Sequence, residues 1–398
     1  MLLLLAGEPP PFIAETAAVI VAGALIAYAA SRLGLVPIAG FLLAGVVIGP
    51  NALGLVRDRA LVDATAEVGV ILLLFTIGIE FSLEKLVRIR RTVFVGGGVQ
   101  VALATAAAAG LALAIGAGWR DAVFTGLLVS LSSTAIVLKL LSERGETAEA
   151  PGQVVLGILV FQDLAVVLMV LLVPVLAGGA ASAGEIALEL GRAVLIVGAV
   201  LLGARKLMPP LLDAVARTCS PDLFLLSVVA VCFGTAYLAS LAGVSLSLGA
   251  FLAGLVVSES RFSEHALGEI LPLQVLFSAT FFVAVGMLLD VGFLLRMLPL
   301  VLAGAAAVVA VKALTTAAGV AALGRPAPVA AAAALTLAQI GEFSFVLERE
   351  GRAAGLQVAG MEGTGPQLFI AVSVLLMLAT PGLAALGARA AARVERRA

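Results

Sequence analysis

One carboxylate lies inside a stretch of the chain that is otherwise apolar. Asp163, preceded by Gln162, sits about a third of the way into residues 154–176, a run that contains no basic residue. Such a run is long enough to cross a bilayer, and an ionisable side chain at that depth costs at least roughly 2.5–3.5 kcal/mol. Asp163 is therefore predicted to face a protein interior or a watery cavity, and to carry a cation and a proton in turn.

The polar inventory around this carboxylate favours exchange over catalysis. A membrane carboxylate can hold a proton or a cation but not comfortably both, and that competition is the physical basis of exchange. Intramembrane aspartyl proteolysis would need two cooperating aspartates, and zinc chemistry would need clustered His, Cys or carboxylates. The one histidine, His265, is placed in a loop, and no Gly-rich phosphate loop followed by Lys occurs. We expect neither an enzyme nor a cofactor.

Composition places the whole chain in a membrane. Of 398 residues, 62% are hydrophobic and 12% are charged, whereas soluble domains are nearer half apolar and a quarter charged. The net charge is −1 and the basic residues are scattered in short loops, which argues against a nucleic-acid partner. Cys219 and Cys232 are too few for a disulfide framework and are read as incidental.

Apolar windows of about 17–25 residues mark the elements that must position Asp163. They begin near residues 12, 35, 63, 92, 121, 151, 185, 221, 243, 271, 298, 328 and 366. The chain is therefore predicted to be an all-α polytopic membrane protein with about thirteen transmembrane helices. With the N-terminus outside, about sixteen basic residues fall on the inner side against about seven on the outer side, so the C-terminus is expected to be cytoplasmic.

The two halves of the chain share a glycine pattern. Three glycines recur at an offset of 209 residues (254 − 45), and two more at 208 (286 − 78). The pairs are Gly34 and Gly243, Gly40 and Gly249, Gly45 and Gly254, and Gly78 and Gly286. Because the paired glycines lie seven predicted spans apart, an odd number, the halves are expected to be inverted repeats, as in many secondary transporters. Chance in a chain rich in Gly, Ala and Leu is the alternative.

The same offset relates two polar interruptions of apolar spans. Residues 130–134 (SLSST) correspond to residues 338–342 (AQIGE). Interruptions at matching positions of two halves predict a pair of broken helices that cross near the middle of the membrane. The alternative is that the serines and threonines only hydrogen-bond back onto their own helices.

Four further polar residues in the spans are candidates for supporting roles. Lys312 lies deep in the eleventh span, where a partner in the bundle core is favoured over snorkelling to the surface. Glu342 lies at the second interruption, where it could neutralise positive helix ends or pair with a basic group. Gln339 belongs to the same interruption. Glu80 is near the inner end of the third span and is either an interface anchor beside a basic loop or a core group.

Six motifs in order along the chain resemble one family. They are residues 74–80 (LFTIGIE), 132–135 (SSTA), 161–163 (FQD), 249–254 (GAFLAG), 281–287 (FFVAVGM) and 341–343 (GEF). They are similar to the Kef-type potassium/proton antiporters of the monovalent cation:proton antiporter superfamily. The resemblance covers nearly the whole chain and implies a thirteen-helix, inverted-repeat fold of the sodium/proton antiporter type, usually homodimeric.

The resemblance also implies a division of labour. It implies a single transmembrane transporter domain over residues 1–398. A dimerisation scaffold would comprise about residues 12–91 and 218–296, and a moving ion-translocating core about residues 92–178 and 297–388, with a linker helix near 185–207. Asp163 would bind potassium (or sodium) and a proton alternately. Ser132, Ser133 and Thr134 would supply oxygens near that site.

Gln162 separates this chain from its electrogenic relatives. Those relatives have a second aspartate where Gln162 stands, so the resemblance implies one titrating carboxylate here, and hence electroneutral exchange of one cation for one proton. The lysine that matches Lys312 pairs with that aspartate in the relatives, which leaves the role of Lys312 open.

Family members resemble this chain only in their membrane part and continue into a nucleotide-binding regulatory domain. The sequence ends about ten residues after the last predicted span, so we expect no soluble regulatory domain; a truncated chain, or a separate cytoplasmic subunit that supplies the regulation, is the alternative. Residues 263–269 resemble the family's regulatory loop and are read as a plain solvated loop.

The sequence thus predicts a potassium/proton antiporter of a bacterial inner membrane, in contact with the lipid bilayer. Sodium/proton exchange is the alternative within transport. A gated potassium channel, in which the broken helices form a selectivity site without coupling, is the alternative from another class. An organic-anion symporter on the same fold would want a wider cavity and sodium sites, which these polar residues do not suggest.

Overall fold

The computed structural model describes residues 11–56, 59–80, 90–178, 191, 206, 210–241 and 246–396. Across these ranges the regular structure is helical, with no strand. The helices are α1 (Pro11–Arg32), α2 (Pro37–Ile48), α3 (Arg59–Glu80), α4 (Thr92–Ala114, whose first turn Thr92–Gly97 is π-helical), α5 (Trp119–Ser130), α6 (Thr134–Arg144), α7 (Ala150–Ala177), α8 (Pro221–Leu241), α9 (Leu246–Ser258), α10 (Ser263–Met287), α11 (Val291–Arg296), α12 (Leu298–Ala322), α13 (Ala327–Thr336), α14 (Glu342–Ala353) and α15 (Thr364–Glu395).

Helices occur at twelve of the thirteen places where the sequence predicts a span. In the described part of the chain, eight helical segments are long and apolar enough to cross a membrane, and four further apolar helices are shorter. The short ones include α2 and α9, of 12 and 13 residues. The all-α polytopic class is therefore confirmed. The span and linker helix expected near residues 185–207 lie outside the described residues, apart from residues 191 and 206.

The prediction of a loop at residues 263–269 is wrong. Helix α10 begins at Ser263, so this segment and His265 form its first two turns. The physical reason is burial: Ala266 and Ile270, four residues apart, lie on one helical face and pack into a core cluster with α3 and α8. His265 stacks against Phe224 of α8, with ring centroids 4.5 Å apart.

Both predicted helix breaks are present. Helix α5 ends at Ser130 and α6 begins at Thr134, with extended backbone between them. Helix α13 ends at Thr336 and α14 begins at Glu342. The first residues of α5 and α13 differ by 208 (327 − 119), and those of α6 and α14 also by 208 (342 − 134). We call residues 131–133 the first break and residues 337–341 the second break.

The repeated glycines make equivalent contacts in the two halves. A β-carbon at Gly45 of α2 would lie 2.9 Å from the Cα of Gly286 on α10, and one at Gly78 of α3 would lie 2.9 Å from the Cα of Gly254 on α9. The offset that relates the sequence repeats exchanges these two contacts. Only glycine allows backbones to approach this closely, as in other membrane helix pairs, so the glycine pattern records helix packing that occurs twice.

The helices pack into two groups. Helix α3 packs against α9 and α10, while α2 also packs on α10 and α8 on α9. In the other group, α4 packs on α5 and α12, and α13 on α12 and α15. Separate core clusters lie inside each group, and a larger cluster joins the two. The second group contains both broken helices and Asp163. The division into scaffold and moving core stays a prediction.

Candidate ion-binding site

Asp163 lies midway along α7, a helix of 28 residues. Its Oδ1 accepts a hydrogen bond of 2.9 Å from Oγ1 of Thr134, the first residue of α6. Both side chains are partly buried. The carboxylate therefore lies at the amino-terminal end of a half-helix, where unpaired backbone N–H groups and the helix dipole favour negative charge.

The two breaks cross each other in direct contact. The backbone N–H of Gly341 donates to the carbonyl oxygen of Leu131 at 3.1 Å. In return, Oγ of Ser132 donates to the carbonyl oxygen of Leu337 at 3.0 Å. A β-carbon at position 341 would lie 2.8 Å from the backbone nitrogen of Ser133, so the crossing requires glycine there. The small residues in the two interruptions are what let the extended backbones meet.

Gln162 is held by the first break. Its Oε1 accepts from the backbone N–H of Ser132 at 2.7 Å, and its Nε2 donates to Oε1 of Gln100 at 2.7 Å and to Oγ of Ser132 at 3.3 Å. Gln100 of α4 in turn donates to the carbonyl oxygen of Ser130 at 3.2 Å. Three of these hydrogen bonds connect to backbone or side-chain groups of the first broken helix. Gln162 is thus a structural partner of that helix as well as the neighbour of Asp163.

Gln100 is a residue of this network that was not predicted from the sequence. It is a neutral amide in the span that follows a basic loop, whereas the predicted residues are ionisable groups and members of the two interruptions. The signal was present: α4 is apolar apart from Gln100 and two threonines. An amide buried in a membrane helix must find partners, because leaving it unpaired in an apolar environment costs a few kcal/mol.

Lys312 has partners at the first break. Its Nζ donates to the carbonyl oxygen of Ser130 at 3.0 Å and to Oγ of Ser132 at 2.6 Å. Its side chain is 0% exposed. Ser130 is the last residue of α5, so the ammonium lies at the negative end of a half-helix dipole. The expected core partner for Lys312 is therefore present, and it is backbone and hydroxyl oxygen of the break.

Glu342 is the first residue of α14 and lies at the other pole of the crossing. Its Oε1 accepts from the backbone N–H of Ala135 at 3.3 Å, near the start of α6. The carboxylate thus interacts with the amino-terminal ends of two half-helices, one of the two roles that the sequence left open. Gln339 is fully buried in the second break, and neither of its amide atoms has a hydrogen-bond partner among the described residues.

The structure brings most of the predicted site residues together. Thr134 contacts Asp163, and Ser132 contacts both Gln162 and Lys312. Ser133 is the N-cap of α6, where its Oγ accepts from the backbone N–H of Ile136 at 3.2 Å. The side chain of Glu80, predicted as an anchor or core group, lies outside the described residues.

An apolar seam lies next to the site. Val166 and Val170, which follow Asp163 on α7, lie beside Phe343 of α14, and these residues face Leu74 of α3 and Phe251 of α9. The seam joins the two helix groups on the side of Asp163 toward the end of α7.

Beyond this seam, an ion pair links the two helix groups. Nη2 of Arg349 on α14 lies 2.8 Å from Oε2 of Glu67 on α3. Both side chains are partly exposed, at 49% and 38%.

The donor set around Asp163 suits a hard monovalent cation. The carboxylate of Asp163 and the hydroxyl of Thr134 are oxygen ligands, which such ions prefer. Among the described residues no group of three or more His, Cys, Asp or Glu side chains could hold a metal ion. The geometry is that of an ion-transport site inside a bundle with two crossed broken helices.

Comparisons with known proteins agree with this class. Residues 19–387 match the family described as "Sodium/hydrogen exchanger, transmembrane". The chain belongs to this family, whose members are cation/proton antiporters. The fold resembles that of the sodium proton antiporter MjNhaP1 from Methanocaldococcus jannaschii, with a TM-score of 0.70, 16% identity, and coverage of 96% of this chain and 98% of the other.

Curated relatives are about one third identical to this chain over the aligned residues. It is 36% identical over 389 residues to the putative cation/proton antiporter YbaL of Escherichia coli, covering 94% of this chain and 69% of that protein. It is also 36% identical to K(+) efflux antiporter 5 of Arabidopsis thaliana, covering 93% of this chain and 65% of the relative. The resemblance inferred from the six motifs is thereby confirmed, and the chain spans about two thirds of the length of these relatives.

Proposed function

We propose that this protein exchanges potassium for protons across a cell membrane, and that Asp163 binds the two in competition. The observation that carries the proposal is the position of Asp163, halfway along a membrane-spanning helix and hydrogen-bonded to Thr134 at the amino-terminal end of a half-helix. The anionic carboxylate binds the cation, and the protonated carboxyl group releases it. The names of the K(+) efflux relatives support potassium as the cation.

The stoichiometry follows from the partners of Lys312. Its Nζ is occupied by the carbonyl oxygen of Ser130 and the hydroxyl of Ser132, and position 162 carries a neutral amide. Asp163 is then the group that gains and loses charge during the cycle. One cation exchanges for one proton, so the exchange is electroneutral and insensitive to membrane potential.

Alternating access uses the two helix groups. The group that contains α4–α7 and α12–α15 would move as a core against a scaffold of α1–α3 and α8–α10, which also forms a homodimer. The apolar seam and the ion pair between Glu67 and Arg349 close the path on one side of Asp163. With the N-terminus outside and the C-terminus cytoplasmic, this side is the outer one, and the protein occupies an inner membrane of bacterial type. A nucleotide-binding domain or a separate subunit on the cytoplasmic side would regulate it.

Proteoliposomes with a trapped pH dye test the function. With the membrane potential clamped, added potassium should drive protons across the membrane, and Asp163→Asn should abolish this movement. The matched control is Asp222→Asn, which removes an exposed carboxylate from the first turn of α8 and should leave the rate unchanged. Both variants should elute from a sizing column as the unmodified protein does.

The rival functions give different results in the same vesicles. Potassium flux without proton movement would identify a gated channel. A response to sodium but not to potassium would replace potassium by sodium as the substrate. Exchange that survives Asp163→Asn would overturn the assignment of the site.

A further inference from the structure

At the first break, hydrogen bonds from two amide side chains connect two backbone groups. Ser130 at the end of α5 exposes a carbonyl oxygen, and Ser132 in the break exposes an N–H group. Nε2 of Gln100 donates to the Ser130 oxygen at 3.2 Å, Nε2 of Gln162 donates to Oε1 of Gln100 at 2.7 Å, and the Ser132 N–H donates to Oε1 of Gln162 at 2.7 Å. We call this chain of three hydrogen bonds the amide relay. Gln100 is 0% exposed and Gln162 is 1% exposed.

The direction of the amide relay is set by its two ends. A backbone carbonyl only accepts hydrogen bonds and a backbone N–H only donates them. Gln100 must therefore turn its Nε2 toward Ser130, which leaves its Oε1 facing residue 162. Residue 162 must in turn offer an acceptor to Ser132 and a donor to Gln100. A glutamine does both, and so does a protonated carboxyl group, whereas an ionised carboxylate only accepts.

We propose that Gln100 restricts position 162 to a hydrogen-bond donor: its Oε1 accepts from residue 162, which favours an amide or a neutral acid there over an ionised carboxylate, so that Asp163 stays the one titrating carboxylate of the pair. The proposal rests on the proposed function in that it assumes exchange at Asp163. Gln100 is a positioning residue, because it acts on the site through its hydrogen bond with Gln162.

The charged groups around position 162 act in both directions. Lys312 of α12 contacts the same Ser132 hydroxyl as Gln162 does, and its ammonium favours a carboxylate at position 162. Asp163, the next residue, and Glu342 at the second break oppose a further negative charge. The two hydrogen bonds of the Lys312 ammonium go to the carbonyl oxygen of Ser130 and the hydroxyl of Ser132 at the first break. We therefore expect Oε1 of Gln100, and not Lys312, to decide whether residue 162 is protonated.

The test uses an isosteric acid at position 162 with and without its acceptor. In Gln162→Glu, the new side chain should be a neutral acid that donates to Gln100. In the double variant Gln162→Glu/Gln100→Leu, the acceptor is gone and Glu at 162 should ionise. Gln100→Leu alone retains a neutral residue 162 and controls for loss of the amide.

Infrared spectroscopy reads the protonation of residue 162 without any transport. In an Asp163→Asn background, the Gln162→Glu protein should show an additional carboxylic acid band at neutral pH, and the Gln162→Glu/Gln100→Leu protein should lose that band to carboxylate absorption. Loss of the band in Gln162→Glu while Gln100 is present would show that Lys312 dominates, and would overturn the proposal. So would a band that persists when Gln100 is replaced.

Proteoliposomes read the stoichiometry, with Asp163 intact. The unmodified protein, Gln100→Leu and Gln162→Glu should all exchange without regard to the membrane potential. In the double variant the acid at position 162 and Asp163 should each take up a proton when the cation leaves, so two protons exchange for one cation and one net charge moves per cycle. A charge moved through 100 mV is worth about 2.3 kcal/mol, about fiftyfold in the cation gradient at equilibrium. A double variant that exchanges independently of the potential would contradict the proposal. Potential-dependent exchange by the unmodified protein would instead refute the proposed function and leave the infrared result standing.

Discussion

The two broken helices have the same layout, yet their polar groups are satisfied differently. At the first break, partners arrive from three neighbouring helices: Gln100 from α4, Gln162 from α7 and Lys312 from α12. At the second break, the carbonyl oxygen of Leu337 accepts from Oγ of Ser132, and the backbone N–H of Gly341 donates to the carbonyl oxygen of Leu131, so both contacts run to the first break itself.

Unpaired polar atoms are concentrated at the second break. Both amide atoms of Gln339 and Oε2 of Glu342 are buried without a hydrogen-bond partner among the described residues. The repeat therefore gives the backbone the same path in both breaks, whereas the hydrogen bonds made by the side chains differ between them. The first break is held in place by fixed partners. We expect the amide of Gln339 and Oε2 of Glu342, which lack such partners among the described residues, to change their hydrogen bonds as the site changes state.

The largest effect that this comparison predicts is for Lys312→Met. The substitution removes two hydrogen bonds from a buried ammonium, to Ser130 and to Ser132, each worth about 1.5–3 kcal/mol when one partner is charged. We expect a marked fall in the melting temperature of the detergent-purified protein, measured by loss of the monodisperse peak after heating, together with loss of exchange.

Lys139→Met is the matched control for Lys312→Met. Lys139 lies on α6, and its ammonium pairs with Glu143 at 3.3 Å with both side chains about half exposed, so its loss should change stability by less than about 0.5 kcal/mol. If both lysine variants melt together with the unmodified protein, the first break does not depend on its ammonium.

How far the sequence predicts this site depends on which physical signal each residue gives. Asp163 and Lys312 are conspicuous because a charge in an apolar span is costly, and both breaks follow from polar residues at one offset in two halves. Gln100 gives a weaker signal, since a neutral amide costs less to bury than a charge and its partners lie in distant spans. The contacts of Lys312 could not be predicted from the sequence for a related reason. Every residue has a backbone carbonyl group, and which carbonyl oxygens lack a helical hydrogen bond depends on where α5 ends.

At the start of α10, the sequence pattern also failed to predict the structure, because it indicated a loop where the chain is helical. Polar residues such as Glu264 and His265 suggested a solvated loop, because a window that averages hydropathy registers the exposed face and misses the buried one. Packing of Ala266 and Ile270 against neighbouring helices decides the local structure, and that packing depends on contacts with α3 and α8 that no local pattern contains.

A second prediction compares the replacement of glutamine by leucine at the two breaks, at Gln162 beside the first break and at Gln339 in the second. Gln162 and Gln339 are 1% and 0% exposed, so Gln162→Leu and Gln339→Leu remove equal numbers of atoms from equally buried sites. Gln162→Leu leaves the Ser132 N–H and Oε1 of Gln100 without this partner, at about 1–3 kcal/mol for each buried group left unpaired. Gln339→Leu breaks no hydrogen bond with the described residues and should melt at or above the temperature of the unmodified protein.

The exchange assay completes this comparison of glutamines. If the second break is the adaptable one, Gln339→Leu should reduce the exchange rate although the protein remains stable. Equal destabilisation by the two leucine variants would mean that the breaks are supported alike, and unchanged exchange in Gln339→Leu would remove the second break from the working part of the site.

The smallest effect concerns how the second broken helix is connected to the rest of the protein. Arg349 on α14 pairs with Glu67 on α3 across the apolar seam, at 2.8 Å and with partial exposure, and an exposed pair of this kind is worth about 0.2–1 kcal/mol. Glu67→Gln should therefore open the seam slightly more often, by up to about fivefold in equilibrium constant.

The readout is the labelling rate of Val170→Cys by a membrane-impermeant thiol reagent, in a chain whose Cys219 and Cys232 are replaced by alanine. Glu143→Gln, which breaks a pair within α6, should leave the rate unchanged, and the exchanged pair Glu67→Arg/Arg349→Glu should restore it. Because salt screens exposed charges, raising the ionic strength should accelerate labelling of the unmodified pair and have little effect on Glu67→Gln. A labelling rate that ignores both the substitution and the salt would mean that the apolar seam alone holds the second broken helix against α3.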